Sequence, residues 1–193
     1  MDRVIMRLAV MLSGRGSNFQ AIHEAIQRGE LQAEIVCVIS NRPDAPGIQR
    51  AAEWGYDAHV IDHHAFATRE EHEAEVLGVL ENAKPDYIAL AGYMRLLSAD
   101  FVERYRNRIL NIHPSLLPAF PGVNAQAQAI LAGAKISGCT VHFVDENLDA
   151  GPILVQRAVE VRDGDTEESL AARILVEEHK AYVDALRQLE RQQ

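Results

Sequence analysis

The residues best suited to chemistry lie in the segment 110–118, whose sequence is LNIHPSLLP. Apolar residues alternate there with Asn111 and His113, a pattern typical of a strand, and Pro114 cannot continue a hydrogen-bonded ladder. Two residues apart on a strand, Asn111 and His113 point to the same side. Together they could hydrogen-bond an oxygen that becomes negative as a carbonyl carbon becomes tetrahedral, and the imidazolium could also move a proton. Taken alone, such a pair is more often structural, satisfying backbone groups at a buried strand end.

The longer motif at 111–118, Asn-Ile-His-Pro-Ser-Leu-Leu-Pro, resembles the signature of the folate-dependent formyltransferases. The similarity runs from Leu8 to about Tyr182. It implies an enzyme with a single Rossmann-like α/β domain over residues 1–193. It also implies direct attack by the amine of glycinamide ribonucleotide on the formyl group of 10-formyltetrahydrofolate, in purine biosynthesis and without a metal. The N-terminal half would bind the ribonucleotide phosphate, and residues from about 90 to 155 would supply the folate and catalytic segments.

The resemblance also implies roles for individual residues. The catalytic group would be Asn111, His113 and Asp149, and a carboxylate beside His113 would favour the charged imidazolium. The ribonucleotide would be bound by Gly16, Ser17, Asn18 and Glu178. The folate would be bound by Arg69, Met94, Arg95, Leu96, Leu97, Asn111, Asp145, Glu146, Asn147, Leu148 and Asp149.

A glycine loop near the N-terminus independently indicates an anion site. The loop SGRGSN at 13–18 stands between a buried strand and a helix. Gly16 would let the backbone approach an anion closely, and Asn18 could cap the helix, whose N-terminus favours negative charge. A dinucleotide site is disfavoured, because Phe19 occupies the third glycine position and the next strand, 34–40, ends without an acidic residue. A single phosphate is the best candidate ligand, and an ordinary tight turn is the alternative.

Strand-like and helix-like segments alternate along the whole chain. This alternation predicts a mainly parallel, twisted sheet with helices on both faces and a crevice at the strand ends. The predicted strands are 7–12, 34–40, 57–61, 87–91, 108–112, 138–144 and an edge-like 153–161. The predicted helices begin near Asn18, Gly47, Thr68, Ser98, Asn124 and Thr166, with Thr68 opening a capping box.

Other polar residues are better explained without chemistry. No ligand spacing supports a metal at His63, His64 and His72, so exposed histidines are expected. The charges of the helix at 68–84 are expected to form a solvated face. His142 lies in a β-branched run and is expected to be a structural strand residue.

Composition narrows the class of protein. The chain has 193 residues, 48% of them apolar, and a net charge of −9. That size suits one domain, and an acidic surface argues against a nucleic-acid partner. With no membrane-length apolar run and no signal-peptide core after Met1, a cytoplasmic protein is expected, either monomer or homodimer. Cys37 and Cys139 are expected to be buried thiols.

The sequence departs from the family at three positions and leaves two other functions open. Asn124 and Gln126 replace histidines that the family often carries, and Leu175 replaces a polar ribonucleotide contact of some relatives. One alternative is a hydrolase that passes the formyl group to water. It is disfavoured because the chain has no room for the regulatory domain of such relatives, and because the glycine loop suits a phosphorylated acceptor. The other is a nucleotide-binding module without catalysis.

Overall fold

The computed structural model describes residues 5–192, which form a seven-stranded sheet flanked by helices. The strands are β1 (Met6–Leu12), β2 (Ala33–Ser40), β3 (Ala58–Val60), β4 (Tyr87–Leu90), β5 (Ile109–His113), β6 (Ile136–Phe143) and β7 (Ile153–Glu160). The α-helices are α1 (Ser17–Gln27), α2 (Pro46–Glu53), α3 (Arg69–Ala83), α4 (Ala99–Arg104), α5 (Ala125–Leu131) and α6 (Glu167–Glu190), and a short 3₁₀ helix spans His63–Ala65.

The strand order is β3-β2-β1-β4-β5-β6-β7; β1 to β5 are parallel, and β6 is antiparallel to both of its neighbours, β5 and β7. The chain winds outward from β1 to β3 and then returns to place β4 on the other side of β1. The sheet therefore has a topological switch point between β1 and β4, where open α/β sheets bind their ligands at the carboxyl ends of the strands. The predicted mainly parallel α/β fold is confirmed, and β7 is an edge strand, as its alternating sequence predicts.

The core lies on both faces of the sheet. Apolar side chains of α1, α2 and α6 pack on one face, and those of α3 and α4 pack on the other. Tyr182 of α6 is fully buried, and its hydroxyl is 3.1 Å from the carbonyl oxygens of both Leu90 and Leu110. Cys37 and Cys139 are buried free thiols, as predicted, and burial raises the pKa of each to about 12.

Local capping signals in the sequence are mostly confirmed. Thr68 and Glu71 form the predicted capping box at the start of α3, and the Ser98 hydroxyl accepts a hydrogen bond from the Phe101 N–H. The expected cap at Asn18 is wrong. Gly16 is the N-cap of α1, in the left-handed conformation, and Asn18 lies inside the helix with its side chain turned toward α6.

The expected solvated face of α3 is confirmed for most of its charges, since Arg69, Glu70, Glu71, Glu75 and Glu81 are exposed, but the expectation is wrong for Glu73 and for the histidine of this helix, His72. His72 and Glu73 are 1% and 5% exposed, because α3 packs against the segments that follow β3 and β4. The His72 ring donates a hydrogen bond to the Ile61 carbonyl at 2.9 Å, and burial lowers its pKa. The Glu73 carboxylate accepts hydrogen bonds from both the backbone N–H and the hydroxyl of Ser98. The positions of the charged residues in the sequence do not show which side of α3 packs against the segments that follow β3 and β4.

Across residues 5–192, no helix combines the length and the apolar character needed to cross a bilayer.

Candidate active site

Asn111 and His113 lie at the carboxyl end of β5, next to the switch point of the sheet. Asp149 comes from the loop between β6 and β7, where its backbone has φ of 51°. This left-handed conformation is tolerated by aspartate better than by most residues. β6 pairs antiparallel with β5, with Phe143 opposite Leu110, so the loop that follows β6 begins beside the amino end of β5 and folds back far enough for Asp149 to reach His113. Three residues that the sequence analysis grouped therefore lie around one position.

His113 is held between two oxygen acceptors. Its Nδ1 is 3.4 Å from Asp149 Oδ2, and both side chains are less than a tenth exposed. Its Nε2 is 2.9 Å from the Phe120 carbonyl oxygen. A neutral imidazole has one N–H and can satisfy one of these oxygens, whereas the imidazolium has two and satisfies both. The surroundings of the ring therefore suit its charged form.

The Asp149 carboxylate also holds in place the loop between β5 and α5, which covers His113. Asp149 Oδ2 accepts a hydrogen bond from the Gly122 N–H at 2.8 Å. Phe120, Gly122 and Asn124 all have positive φ values, between 54° and 77°, so the loop turns sharply over His113. Asn124, where the family often has histidine, is exposed and stands at the N-cap of α5 without a side-chain hydrogen bond.

Asn111 is neighboured by a histidine whose position the sequence analysis missed. His142 pairs with Asn111 across β5 and β6, and its Nε2 is 3.5 Å from Asn111 Nδ2. His142 Nδ1 donates to the Phe143 carbonyl at 2.9 Å, so Nε2 is the acceptor. Burial lowers the pKa of His142, which favours this neutral form. The antiparallel register, which the strand pattern of the sequence does not reveal, places His142 in the site.

The glycine loop at the start of α1 is tightly packed. Gly16 has φ of 69°, and a Cβ atom there would lie 3.1 Å from Gly47 Cα and 3.2 Å from Leu12 Cδ2. α1 begins at Ser17, so the N–H groups of its first turn have no partners within the helix. These features fit the predicted anion site, because the dipole of the helix favours negative charge at this end.

Glu178 of α6 is hydrogen-bonded to the start of α1, next to the glycine loop. Asn18 Nδ2 donates to Glu178 Oε2 at 2.9 Å, although the two residues are 160 positions apart in the chain. Burial raises the pKa of the Glu178 carboxyl, while the Asn18 hydrogen bond and the charge of His113 act in the opposite direction. The hydrogen bond to Asn18 ties this buried carboxyl of α6 to the first turn of α1.

Apart from Asn111 on β5, the residues predicted to bind folate lie in three segments. Residues 94–97 follow β4, and the side chains of Met94 and Leu96 are 81% and 67% exposed. Residues 145–148 lead to Asp149, and the Asn147 N–H donates to Asp145 Oδ1 at 2.8 Å. Arg69 lies in the first turn of α3, 3.7 Å from Glu70. Residues 94–97 follow β4, the neighbour of β5, and residues 145–148 lead directly to Asp149. The folate contacts of all these residues and of Arg69 stay predictions from the resemblance.

The histidines outside the site include a small cluster. The ligand atoms of Asp62, His63 and His64 lie within 4.8 Å of one another. However, His63 Nδ1 already donates to the Asn41 carbonyl at 2.9 Å, and His64 is exposed. Three adjacent residues, one of them engaged elsewhere, do not make the four-ligand set of a structural metal site.

Comparison with known proteins identifies the class. Residues 6–186 match the family model described as Formyl transferase, so the chain belongs to the formyl transferase family. This confirms the resemblance seen in the motif at 111–118.

Three proteins with different names are similar to nearly the whole of this chain. Phosphoribosylglycinamide formyltransferase of Escherichia coli is 41% identical over 92% of this chain and 84% of its own length. The crystal structure of glycinamide ribonucleotide transformylase 1 from Symbiobacterium toebii is 46% identical, with a TM-score of 0.94, covering 97% of this chain and 88% of that one. The trifunctional purine biosynthetic protein adenosine-3 of Drosophila melanogaster is 50% identical over 95% of this chain, which spans 14% of that protein.

Proposed function

We propose that this protein transfers the formyl group of 10-formyltetrahydrofolate to the amine of glycinamide ribonucleotide, a step of purine biosynthesis. The similarity to enzymes named phosphoribosylglycinamide formyltransferase, along most of the length of the bacterial ones, supports this choice of substrates. The single observation that carries the chemistry is that the His113 ring, two residues from Asn111 on β5, is held between the Asp149 carboxylate and the Phe120 carbonyl oxygen. A cytoplasmic location and a metal-free reaction are part of the proposal.

The ribonucleotide would bind with its phosphate on the N–H groups at the start of α1, around Gly16, Ser17 and Asn18. Its amine would then reach toward β5, passing Glu178, which already hydrogen-bonds Asn18. The folate would enter from the other side, between the exposed apolar side chains of residues 94–97 and the loop 145–148. Most ligand clefts combine such apolar walls with a few fixed polar groups. Holding the two substrates in this way would supply much of the rate enhancement by orientation.

The unprotonated amine would attack the formyl carbon and form a new C–N bond, and the formyl oxygen would take the negative charge. An N–H of Asn111 and an N–H of charged His113 would stabilise this oxygen. Collapse of the intermediate would break the bond to the folate nitrogen, which receives the proton lost by the amine. Asp149 would keep His113 charged throughout. Because His113 Nε2 now faces the Phe120 carbonyl, that carbonyl has to give way when the formyl oxygen arrives.

Hydrolysis with water as the acceptor is the second candidate, and the comparisons favour the transferase names over it. The residues that distinguish the two reactions are those of the glycine loop. A hydrolase has no use for a phosphate subsite, whereas the glycine loop and the N–H groups of the first turn of α1, beside the Asn18–Glu178 hydrogen bond, suit a phosphorylated acceptor.

The test follows deformylation of 10-formyltetrahydrofolate spectroscopically with and without glycinamide ribonucleotide. Deformylation that needs the ribonucleotide supports the transferase, deformylation without it supports a hydrolase, and no deformylation supports a binding module. His113→Ala should lower turnover by about 10²- to 10⁴-fold and leave substrate affinity nearly unchanged. The matched control is His64→Ala, which removes an exposed histidine and should keep full turnover.

A further inference from the structure

The Ser13 hydroxyl joins the ends of three neighbouring strands. Ser13 directly follows β1 and is 5% exposed. Its Oγ donates to Asn41 Oδ1, at the end of β2, at 2.5 Å, and it accepts the backbone N–H of Met94, beyond β4, at 2.7 Å. The Ser13 N–H donates to the Gly92 carbonyl at 3.0 Å. One buried side chain therefore ties β1 to the segments that follow β2 and β4.

Only one assignment of donors and acceptors fits the hydrogen bonds of the Ser13 hydroxyl. A hydroxyl has one proton, and the amide oxygen of Asn41 can only accept, so the proton of Ser13 points to Asn41 and its lone pairs face Met94. Asn41, itself 3% exposed, is also fixed through its backbone carbonyl, which accepts the Nδ1–H of His63 at 2.9 Å. Removing the Ser13 hydroxyl would leave a buried acceptor on Asn41 and a backbone donor on Met94 without this partner, which is costly for both.

Ser13 stands between the two proposed substrate subsites. On its carboxyl side begins the loop that leads to Gly16 and the first turn of α1, where the phosphate would bind. Across the sheet, Met94 opens the segment 94–97, where the folate would bind. That segment is held at its other end by Ser98, whose N–H donates to the Glu73 carboxylate at 2.8 Å. The Ser13 hydroxyl is thus a direct hydrogen-bonded connection from the phosphate loop to the start of the folate segment.

We propose that Ser13 is a positioning residue that couples the two subsites, so that each substrate binds more tightly when the other is present. This inference rests on the proposed function. A phosphate that orders the glycine loop also orders Ser13 and, through its hydroxyl, the backbone of Met94. The folate then meets a segment that has already lost conformational freedom, and its binding costs less entropy. Thermodynamic linkage requires the same factor in the reverse direction.

Isothermal titration calorimetry on the whole protein measures this factor. Glycinamide ribonucleotide is titrated with and without a saturating folate analogue that has no transferable formyl group, and the order is then reversed. The wild-type protein should show an affinity gain of about 5- to 150-fold, the usual range of such coupling. In Ser13→Ala the gain should fall to about onefold, while each ligand alone keeps an affinity within about threefold of wild type. Ser13→Cys, with a weak donor and acceptor, should lie between the two and carries the test if the alanine variant does not fold.

The matched control is Ser137→Ala. Ser137 of β6 is 1% exposed, and its hydroxyl has no hydrogen-bond partner among residues 5–192, so the substitution removes a buried serine without breaking such a connection. Its coupling factor should equal that of wild type. A coupling factor in Ser13→Ala or Ser13→Cys as large as in wild type, or wild-type affinities that do not depend on the second ligand, would overturn the role of Ser13 alone. A wild-type protein that binds neither ligand would overturn the proposed function as well.

Discussion

Replacing Asp149 with asparagine removes a negative charge from beside His113 while preserving most of the local geometry. The backbone at Asp149 has φ of 51°, and asparagine tolerates this left-handed region as readily as aspartate does. The amide keeps an oxygen that can accept the Gly122 N–H, now bonded to the carboxylate at 2.8 Å. The variant therefore tests the charge of Asp149 separately from the shape of the loop that it holds.

The size of the effect follows from the distance between the two groups. Opposite unit charges 3.4 Å apart interact by about 5 kcal/mol at an effective dielectric constant of 20. Solvent screens the pair little, because the side chains of His113 and Asp149 are only 7% and 8% exposed. Desolvation of both groups offsets part of this energy. We therefore expect turnover to fall by about 10²- to 10³-fold, which corresponds to about 3–4 kcal/mol of transition-state stabilisation.

Steady-state kinetics with both substrates separates turnover from affinity. In Asp149→Asn the fall should appear in kcat, and the KM values for ribonucleotide and folate should change little, because the lost interaction acts mainly in the transition state. Asp163→Asn is the control, since it removes the same charge from an acid that is 95% exposed and pairs with Lys135 on the surface. Near-normal kcat in a folded Asp149→Asn protein, or a loss confined to KM, would refute the role given to this carboxylate.

Three further predictions concern the glycine loop, the carboxyl on α6 and the core. Gly16→Val should weaken ribonucleotide binding more than folate binding in calorimetry, because its Cβ would lie 3.1 Å from Gly47 Cα and its φ of 69° disfavours valine; equal losses for both ligands would contradict this. Glu178→Gln should raise the melting temperature at about pH 8 and not at about pH 4. Burial raises the pKa of the Glu178 carboxyl above its ordinary value of 4.5, so the folded state favours the protonated form. As the pH rises above 4.5, this carboxyl ionises first in the unfolded chain, and the folded state loses stability relative to the unfolded one. The same shift at both pH values would show that the charge is not the cause. Tyr182→Phe should lower the free energy of unfolding by about 1–3 kcal/mol in urea titrations, because two buried carbonyl oxygens lose a donor; a change below about 0.5 kcal/mol would contradict the geometry.

Local patterns in the sequence were sufficient for the helices and strands and for two of the three residues of the proposed catalytic group. The period of the apolar residues predicts the strands, and the residue types at Thr68 and Ser98 predict helix starts, because capping depends on neighbours three residues apart. Asn111 and His113 share a side because side chains alternate along a strand. The glycine loop before α1 is equally local. The particular roles of these residues came from the resemblance of the motif at 111–118 to a family, and they stay predictions.

The tertiary structure alone decided which distant residues meet. Asp149 reaches His113 because the loop after β6 folds back over β5, and the antiparallel register of β6 against β5 brings His142 beside Asn111. The sequence around Asn18 predicts a helix cap, but its side chain donates a hydrogen bond to Glu178 because α6 packs against α1. The spacing of residues along the chain does not specify the order of the strands or the packing of the helices. Both depend on how the apolar faces of all the elements are buried against one another. For that reason the sequence determined the groups available for chemistry, and the packing of the sheet determined their partners.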